Sequence, residues 1–247
     1  MKTTEFPKPP VVEAVVDIRF RPGRETSVQE IEQLCASLGD RYPRRSPRQA
    51  FAAGLQLSPG RVALGEARHD VVGCVAWNDA TARAVQLGMG IFSFHKFRPY
   101  EGWEAFCEEA LALWSWAAEE LRPTTIERIG VRYINSLTVP SPVGDLGRYL
   151  RTFPRIGDEL PQVMSTFFMR AVLPDEQTGC IAVLTLGLDE PTVSIDTVSL
   201  FLDIDVYRQG PVEADLDVVR RELVPLRELR SRAFFGSITE EMRRLFS

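Results

Sequence analysis

Three segments of the chain carry charged residues at the spacing of a β-strand. Glu13, Asp17 and Arg19 occupy the polar positions of an alternating run over residues 11–20, VVEAVVDIRF. Arg128 and Arg132 lie four apart in a second run over residues 125–139, and Asp203 and Asp205 lie two apart in Leu202-Asp203-Ile204-Asp205. Side chains two or four residues apart on a strand leave by the same face. If one sheet holds all three runs, the seven groups converge on one surface. Such a surface can bind a polar ligand, hold a metal through its carboxylates, or take an anion on the arginine pair. A solvated sheet face with cross-strand ion pairs is the commoner use of such charges, and a salt-bridge network between two halves of the chain is a third. The spacing predicts that at least one of Arg128 and Arg132 forms a bidentate pair with Glu13, Asp17, Asp203 or Asp205.

Other chemistry finds less support. Ser93 and His95 are two residues apart and share a strand face, but no G-x-S-x-G elbow or oxyanion-hole loop accompanies them. His69 falls in an expected turn, Ala67-Arg68-His69-Asp70. No catalytic residue is therefore assigned. Neither a P-loop nor a G-x-G-x-x-G motif is present, and Gly88-Met89-Gly90 sits inside a strand pattern. Cys35, Cys74, Cys107 and Cys180 are far apart, with no C-x-x-C pair, so they read as reduced core thiols; no metal and no cofactor is expected. A tunnel-type triphosphate hydrolase wants acids two apart followed by lysine. Here Glu13 and Asp17 are four apart, and the lysines are Lys2, Lys8 and Lys96 alone. Phe92, Phe94, Phe97, Tyr100, Trp103 and Phe106 fall at strand and helix spacing and read as core. Trp116 lies off the stripe that contains Trp114, so one of the two is expected to be exposed.

The net charge of −5 and pI near 5.3 oppose the field a phosphate backbone needs, which disfavours nucleic acid as partner. The start, MKTTEFPKPP, lacks the apolar core of a signal peptide, and no run reaches the roughly 18 apolar residues of a membrane span. The expectation is a cytoplasmic protein with no membrane contact.

The elements that must position these groups follow from periodicity. After the first strand, Ser27 and Glu30 form a capping box, and Val28, Ile31, Leu34, Cys35 and Leu38 continue at helical spacing. The arginine- and proline-rich stretch 42–48 reads as a loop. Residues 50–98 read as a three-strand meander over 50–58, 71–78 and 82–97, with Pro59-Gly60 and Asn78-Asp79 as turns. Trp103, Phe106, Ala110, Leu113, Trp114 and Ala117 give a helix wide enough to lie on a sheet. The second half repeats the order: a strand at 125–139, a short helix at 145–153, strands at 165–173, 180–188 and 193–207, and a helix at 212–235. Asp189-Glu190-Pro191 is one of its turns, and Pro225 is expected to kink or split the last helix. The fold class is α+β. One unit, 1–247, is built from two similar halves, 1–123 and 124–247, each strand, helix, three-strand meander, helix. Together they form a long curved antiparallel sheet with helices on one face, or alternatively a closed barrel or tunnel.

Three blocks, PPVVEAVVDIRF at 9–20, YEGWEAF at 100–106 and IERIGVRYINSL at 126–137, resemble a sporadically distributed family of bacterial proteins of this length and unestablished function. The ending, residues 226–246, is similar to that family's as well. The resemblance implies bacterial origin and patchy inheritance, as in toxin–antitoxin or phage-defence components, and transfers no catalytic residue. With no assembled catalytic set, the reading is a non-enzymatic binding or regulatory protein acting through a protein partner. The alternatives are a metal-dependent hydrolase or nucleotide-processing enzyme on the strand-face carboxylates, and a small-molecule sensor. The apolar surplus at Phe234, Phe235, Leu245 and Phe246 further predicts a homodimer.

Overall fold

A computed structural model describes residues 6–58, 61–162, 164–188 and 196–247; of residues 50–58 and 61–70 it describes the backbone alone. The elements are β1 (Val11–Pro22), α1 (Val28–Ser37), β2 (Arg44–Ser58), β3 (Arg61–Asn78), β4 (Arg83–Gly88), β5 (Ile91–Phe97), α2 (Trp103–Leu121), β6 (Pro123–Pro140), β7 (Phe168–Asp175), β8 (Cys180–Leu188), β9 (Thr197–Val212), α3 (Leu216–Ser237) and α4 (Glu240–Arg244). Nine strands form one antiparallel sheet in the order β2-β3-β4-β5-β1-β6-β9-β8-β7. Among the described residues the order has two ends, so the sheet is open and forms neither a barrel nor a tunnel.

Alternation decides which side of the sheet is covered. Ala14, Val16, Ile18 and Phe20 of β1 are buried, as are Ile129, Val131 and Tyr133 of β6 and Leu202, Ile204 and Val206 of β9. α1 packs on β3 and β4, α2 on β5 and β1, and α3 on β9, β6 and β8. The ring of Trp114, 1% exposed, meets those of Phe20 and Phe92 edge to face at 5.4 and 5.5 Å. Trp116 is half-buried against the same core, so neither tryptophan projects freely.

Several sequence expectations are corrected. Residues 44–48 belong to β2, because pairing with the far half of β3 recruits them: Arg44 lies 4.8 Å over the Trp77 ring and grips Asp79 through two bonds of 2.8 and 2.7 Å. Pro47 is tolerated there because β2 is an edge strand, where a missing N–H need cost no ladder bond. β3 runs straight through 67–70, so the backbone of His69 is in a strand and not a turn. The expected single strand over 82–97 is a hairpin, β4 and β5, turning at Met89-Gly90. Gly90 has φ +75°, and a Cβ there would sit 2.5 Å from the Phe20 carbonyl oxygen. The first meander thus has four strands against three in the second. The expected helix at 145–153 shrinks to a 3₁₀ turn, Leu146–Arg148, followed by a bridge from Leu150 to Ile238. The halves therefore do not match element for element. α3 is one helix through Pro225, so the expected split does not occur. The turns expected at Pro59-Gly60 and Asp189-Glu190-Pro191, and the strand start at Val193, lie outside the described residues.

The capping box forms as expected: Glu30 N donates to Ser27 Oγ at 3.2 Å, and Ser27 N to Glu30 Oε2 at 2.8 Å. The Ser27 amide, with the Arg24 guanidinium 2.6 Å away, lowers the Glu30 carboxyl from 4.5 to about 2. A depressed carboxylate contributes stability above its ordinary pKa and loses it as pH falls through the folded value. The first turn of α1 should therefore fray between pH 4.5 and about 2. Amide exchange of residues 28–31 against pH checks this, and Glu30→Gln should abolish that pH dependence.

The C-terminal aromatic surplus is consumed within the chain. Phe6 meets Phe234, Phe235 and Phe246 at ring distances of 6.4, 6.0 and 5.3 Å, and Lys8 N donates to the Phe246 carbonyl. Only Leu245 of that set is exposed, at 41%. The reason given by the sequence for a homodimer is thereby removed. Among the described residues no helix is long and apolar enough to cross a membrane.

Candidate binding face and sheet edge

The side of the sheet opposite the helices carries the charged residues. β1 lies between β5 and β6, and its register sets Asp17 between Ser93 and Gly130 and Val15 between His95 and Arg132. β9 then places Asp205 beside Arg132 and Tyr207 beside Gly130. No helix packs on this face among the described residues.

Six of the seven residues named from spacing make close bonds there. Arg128 runs along β6 over Gly130, whose missing side chain leaves the room: a Cβ would meet Arg128 Nη1 at 3.0 Å and Tyr207 Cβ at 3.1 Å. From that position Arg128 Nη2 donates to both oxygens of Asp205 at 2.9 and 2.8 Å, and Nη1 donates to Asp17. Its guanidinium also lies 4.4 Å over the Tyr207 ring. Arg132 donates to the two oxygens of Asp203 at 2.9 and 2.6 Å. Arg132 is thus bidentate through two nitrogens, which meets the expectation for at least one of the pair, while Arg128 spans two acids, reaching Asp205 from a single nitrogen. Arg19, 59% exposed, is only loosely associated with Asp17 at 3.8 Å. Burial raises the Asp205 carboxyl, Arg128 and Arg132 pull it down, and Asp17 adds like charge; the net direction is upward.

Glu13 takes a different partner. Its Oε1 is 2.7 Å from His95 Nδ1, and His95 Nε2 is 3.0 Å from Ser93 Oγ. An ionised carboxylate only accepts, so a neutral imidazole here carries its proton on Nδ1 and accepts from the serine at Nε2. This is the polarity of a serine–histidine–acid chain. Sequence reasoning had Ser93 and His95 on one face, but Glu13 is 82 residues from His95 and only the β1–β5 register joins them. Two features oppose catalysis. Ser93 is 3% exposed, and β5 is paired on both sides, so its backbone N–H groups serve the sheet and not an oxyanion. The carboxylates of the face are held by arginines and a histidine, and among the described residues no three His, Cys, Asp or Glu side chains are grouped to hold a metal. The four thiols are free and buried, and burial pushes up Cys35, Cys74 and Cys107, the last to about 11, so those three are poor nucleophiles.

The sheet ends at β7, an edge strand that sequence reasoning did not single out. Phe168, Val172 and Leu173 are 70%, 51% and 48% exposed along it. Among the described residues β7 pairs with β8 on one side only. An edge strand presents unpaired N–H and C=O groups, and natural sheets ordinarily blunt such edges with charge, proline or a covering segment. Here Arg170 is the one charged residue before Asp175, and Pro174 falls near the end.

Fold and site together define an α+β protein with an open nine-stranded antiparallel sheet, helices on one face, and an internally neutralised charge ladder on the other. Comparison of the chain with protein-family models, curated proteins and solved structures yields no match in any of the three.

Proposed function

We propose that the protein is a non-enzymatic binding protein that captures an extended segment of a protein partner alongside β7. The exposed apolar edge carries this reading. A strand added there would satisfy the free backbone groups of β7, while Phe168 and Val172 on one face and Leu173 on the other would supply alternating contacts. The charge ladder supports it by default, since its four carboxylates and two of its three guanidinium groups are already held by close bonds, Arg19 alone being left loose. The strand order belongs to the same proposal: β5 and β9, the last strand of each half, both return beside the strand that opens that half, β1 and β6. The resemblance of the three sequence blocks to a patchily inherited bacterial family sets this role in a toxin–antitoxin or defence context.

A photo-crosslinking amino acid at position 172, with one at the equally exposed Val224 of α3 as control, tests the edge. Expected is one cross-linked species at 172 that is lost when Ala171 is replaced by proline, and none at 224. A product of twice the chain mass would identify the partner as a second copy. Equal labelling at both positions overturns the proposal.

The Ser93–His95–Glu13 chain favours a second reading, a hydrolase with Ser93 as nucleophile. Incubation with a fluorophosphonate probe separates the two. The binding reading expects no labelling, whereas labelling lost in Ser93→Ala would establish the hydrolase.

A further inference from the structure

A cavity of about 200 Å³ lies on the helix side of the sheet, away from both the charge ladder and β7. Its walls come from four places in the chain: the prolines before β1, the turn Tyr100–Trp103 that opens α2, the α3 residues Arg227 to Phe235, and Asn135 of β6. Most of this lining is aromatic or proline, so the space favours an apolar body. Its polar groups are few, and nearly all are already engaged. Glu101 faces Arg83 and Lys96 at 3.0 and 3.5 Å. Arg227 donates to Glu104 at 2.9 Å. The hydroxyls of Tyr100 and Tyr133 share a bond of 2.7 Å, and burial raises both phenols, so they stay neutral.

Arg230 is the exception. Its guanidinium lies 4.0 Å over the Tyr133 ring, no carboxylate reaches it among the described residues, and its Nε is buried without a hydrogen-bond partner. A cation stacked on a ring with a buried donor unused is an unfinished interaction, because leaving such a donor unmade costs its desolvation. The cavity also opens on the first turn of the 19-residue helix α2, where Gly102 supplies no side-chain cap. That end carries partial positive charge. Both features ask for one negative group, and the remaining wall asks for hydrocarbon.

We propose that this cavity binds a small monocarboxylate with an apolar or aromatic body, its carboxylate on Arg230 and its body between Tyr100, Trp103, Phe234 and Phe235. A planar carboxylate matches the guanidinium fork. Pockets for drug-sized ligands run to roughly 300–1,000 Å³, so a volume of about 200 Å³ selects a smaller acid. The proposal is independent of partner capture at β7, which lies at the far edge of the sheet.

Phenylacetate is the probe, with phenylacetamide as its neutral isostere and inorganic phosphate as a competing anion. Titration calorimetry and thermal melting of the full chain are the readouts, since a ligand that binds only the folded state raises its melting temperature. Phenylacetate is expected to bind one per chain and raise Tm, and the other two are not. Arg230→Gln should weaken phenylacetate by at least about tenfold, the loss of a charged hydrogen bond, while Arg244→Gln on α4 leaves it unchanged. Phe235→Ala, which enlarges the cavity without touching the arginine, should shift preference from phenylacetate toward naphthylacetate, and this keeps the test open should Arg230→Gln fail to fold. Equal binding of the amide, tighter binding of phosphate, an unaltered preference in Phe235→Ala, or no binding at millimolar phenylacetate would overturn the proposal.

Discussion

Arg128→Ala is expected to destabilise the protein by about 3–5 kcal/mol, the loss typical of removing one partner from a buried ion pair. Arg128 is 13% exposed and holds two carboxylates, Asp17 at 23% and Asp205 at 28%. Without it, the acids of β1 and β9 are left on either side of β6 with only Arg132, already bonded to Asp203, and the loosely associated Arg19 as nearby cations. Urea unfolding at neutral pH measures the loss. Its pH dependence tests the cause. An acid whose folded pKa is raised contributes stability that is fully present below its unfolded pKa and is lost as pH rises through the folded one. Burial already raises the Asp205 carboxyl, and losing Arg128 removes the main charge that opposes it. The variant should therefore regain part of its deficit as pH is lowered toward the ordinary aspartate value. Arg132→Ala provides the contrast: its side chain is 48% exposed and it holds one acid, Asp203, 16% exposed, so solvent screens the pair in part and the loss should be smaller than that of Arg128→Ala. Equal losses in the two variants would show that the ladder is not graded by burial.

Trp114→Ala should cost about as much, roughly 3–5 kcal/mol, by a different mechanism. The indole fills the space between α2 and the strands β1 and β5, touching Phe20 and Phe92, both essentially inaccessible. Large-to-small changes lose transfer energy and leave a cavity that rigid neighbours do not close. A sheet paired on both sides of β1 and β5 cannot collapse inward. Calorimetry should show a lower Tm with no change in ladder chemistry. Trp116→Ala, at a half-buried position two residues away, should cost less.

Periodicity carried the first strand, the capping box, the apolar stripe of α2 and the long strand through Arg128 and Arg132, because each depends on contacts within a few residues. It also put the seven charged residues at outward positions of three strands, where six of them make close bonds, since a strand's two-residue period fixes which side a group leaves by. It failed where the backbone answers to a distant segment. Residues 44–48 look like a loop, yet β3 supplies them with ladder partners and Trp77 supplies a ring for Arg44. Residues 82–97 look like one strand, yet the chain folds back at Gly90 against Phe20. Pro225 is expected to kink or split the helix; the split does not occur, because packing of Leu223, Leu226 and Leu229 outweighs one lost bond.

What the sequence alone determined is the α+β class, the facing of β1, β6 and β9, and the expectation that at least one of Arg128 and Arg132 meets an acid. Three things were decided only by tertiary structure. Glu13 meets His95 through the β1–β5 register. β7 becomes an edge because the strand order ends there. Arg230 is left without an acid because four separated segments close a cavity around it. All three are long-range contacts, and long-range contacts are set by register and by which strand lies next to which. Local spacing encodes neither, since a shift of two residues preserves every facing while replacing every partner.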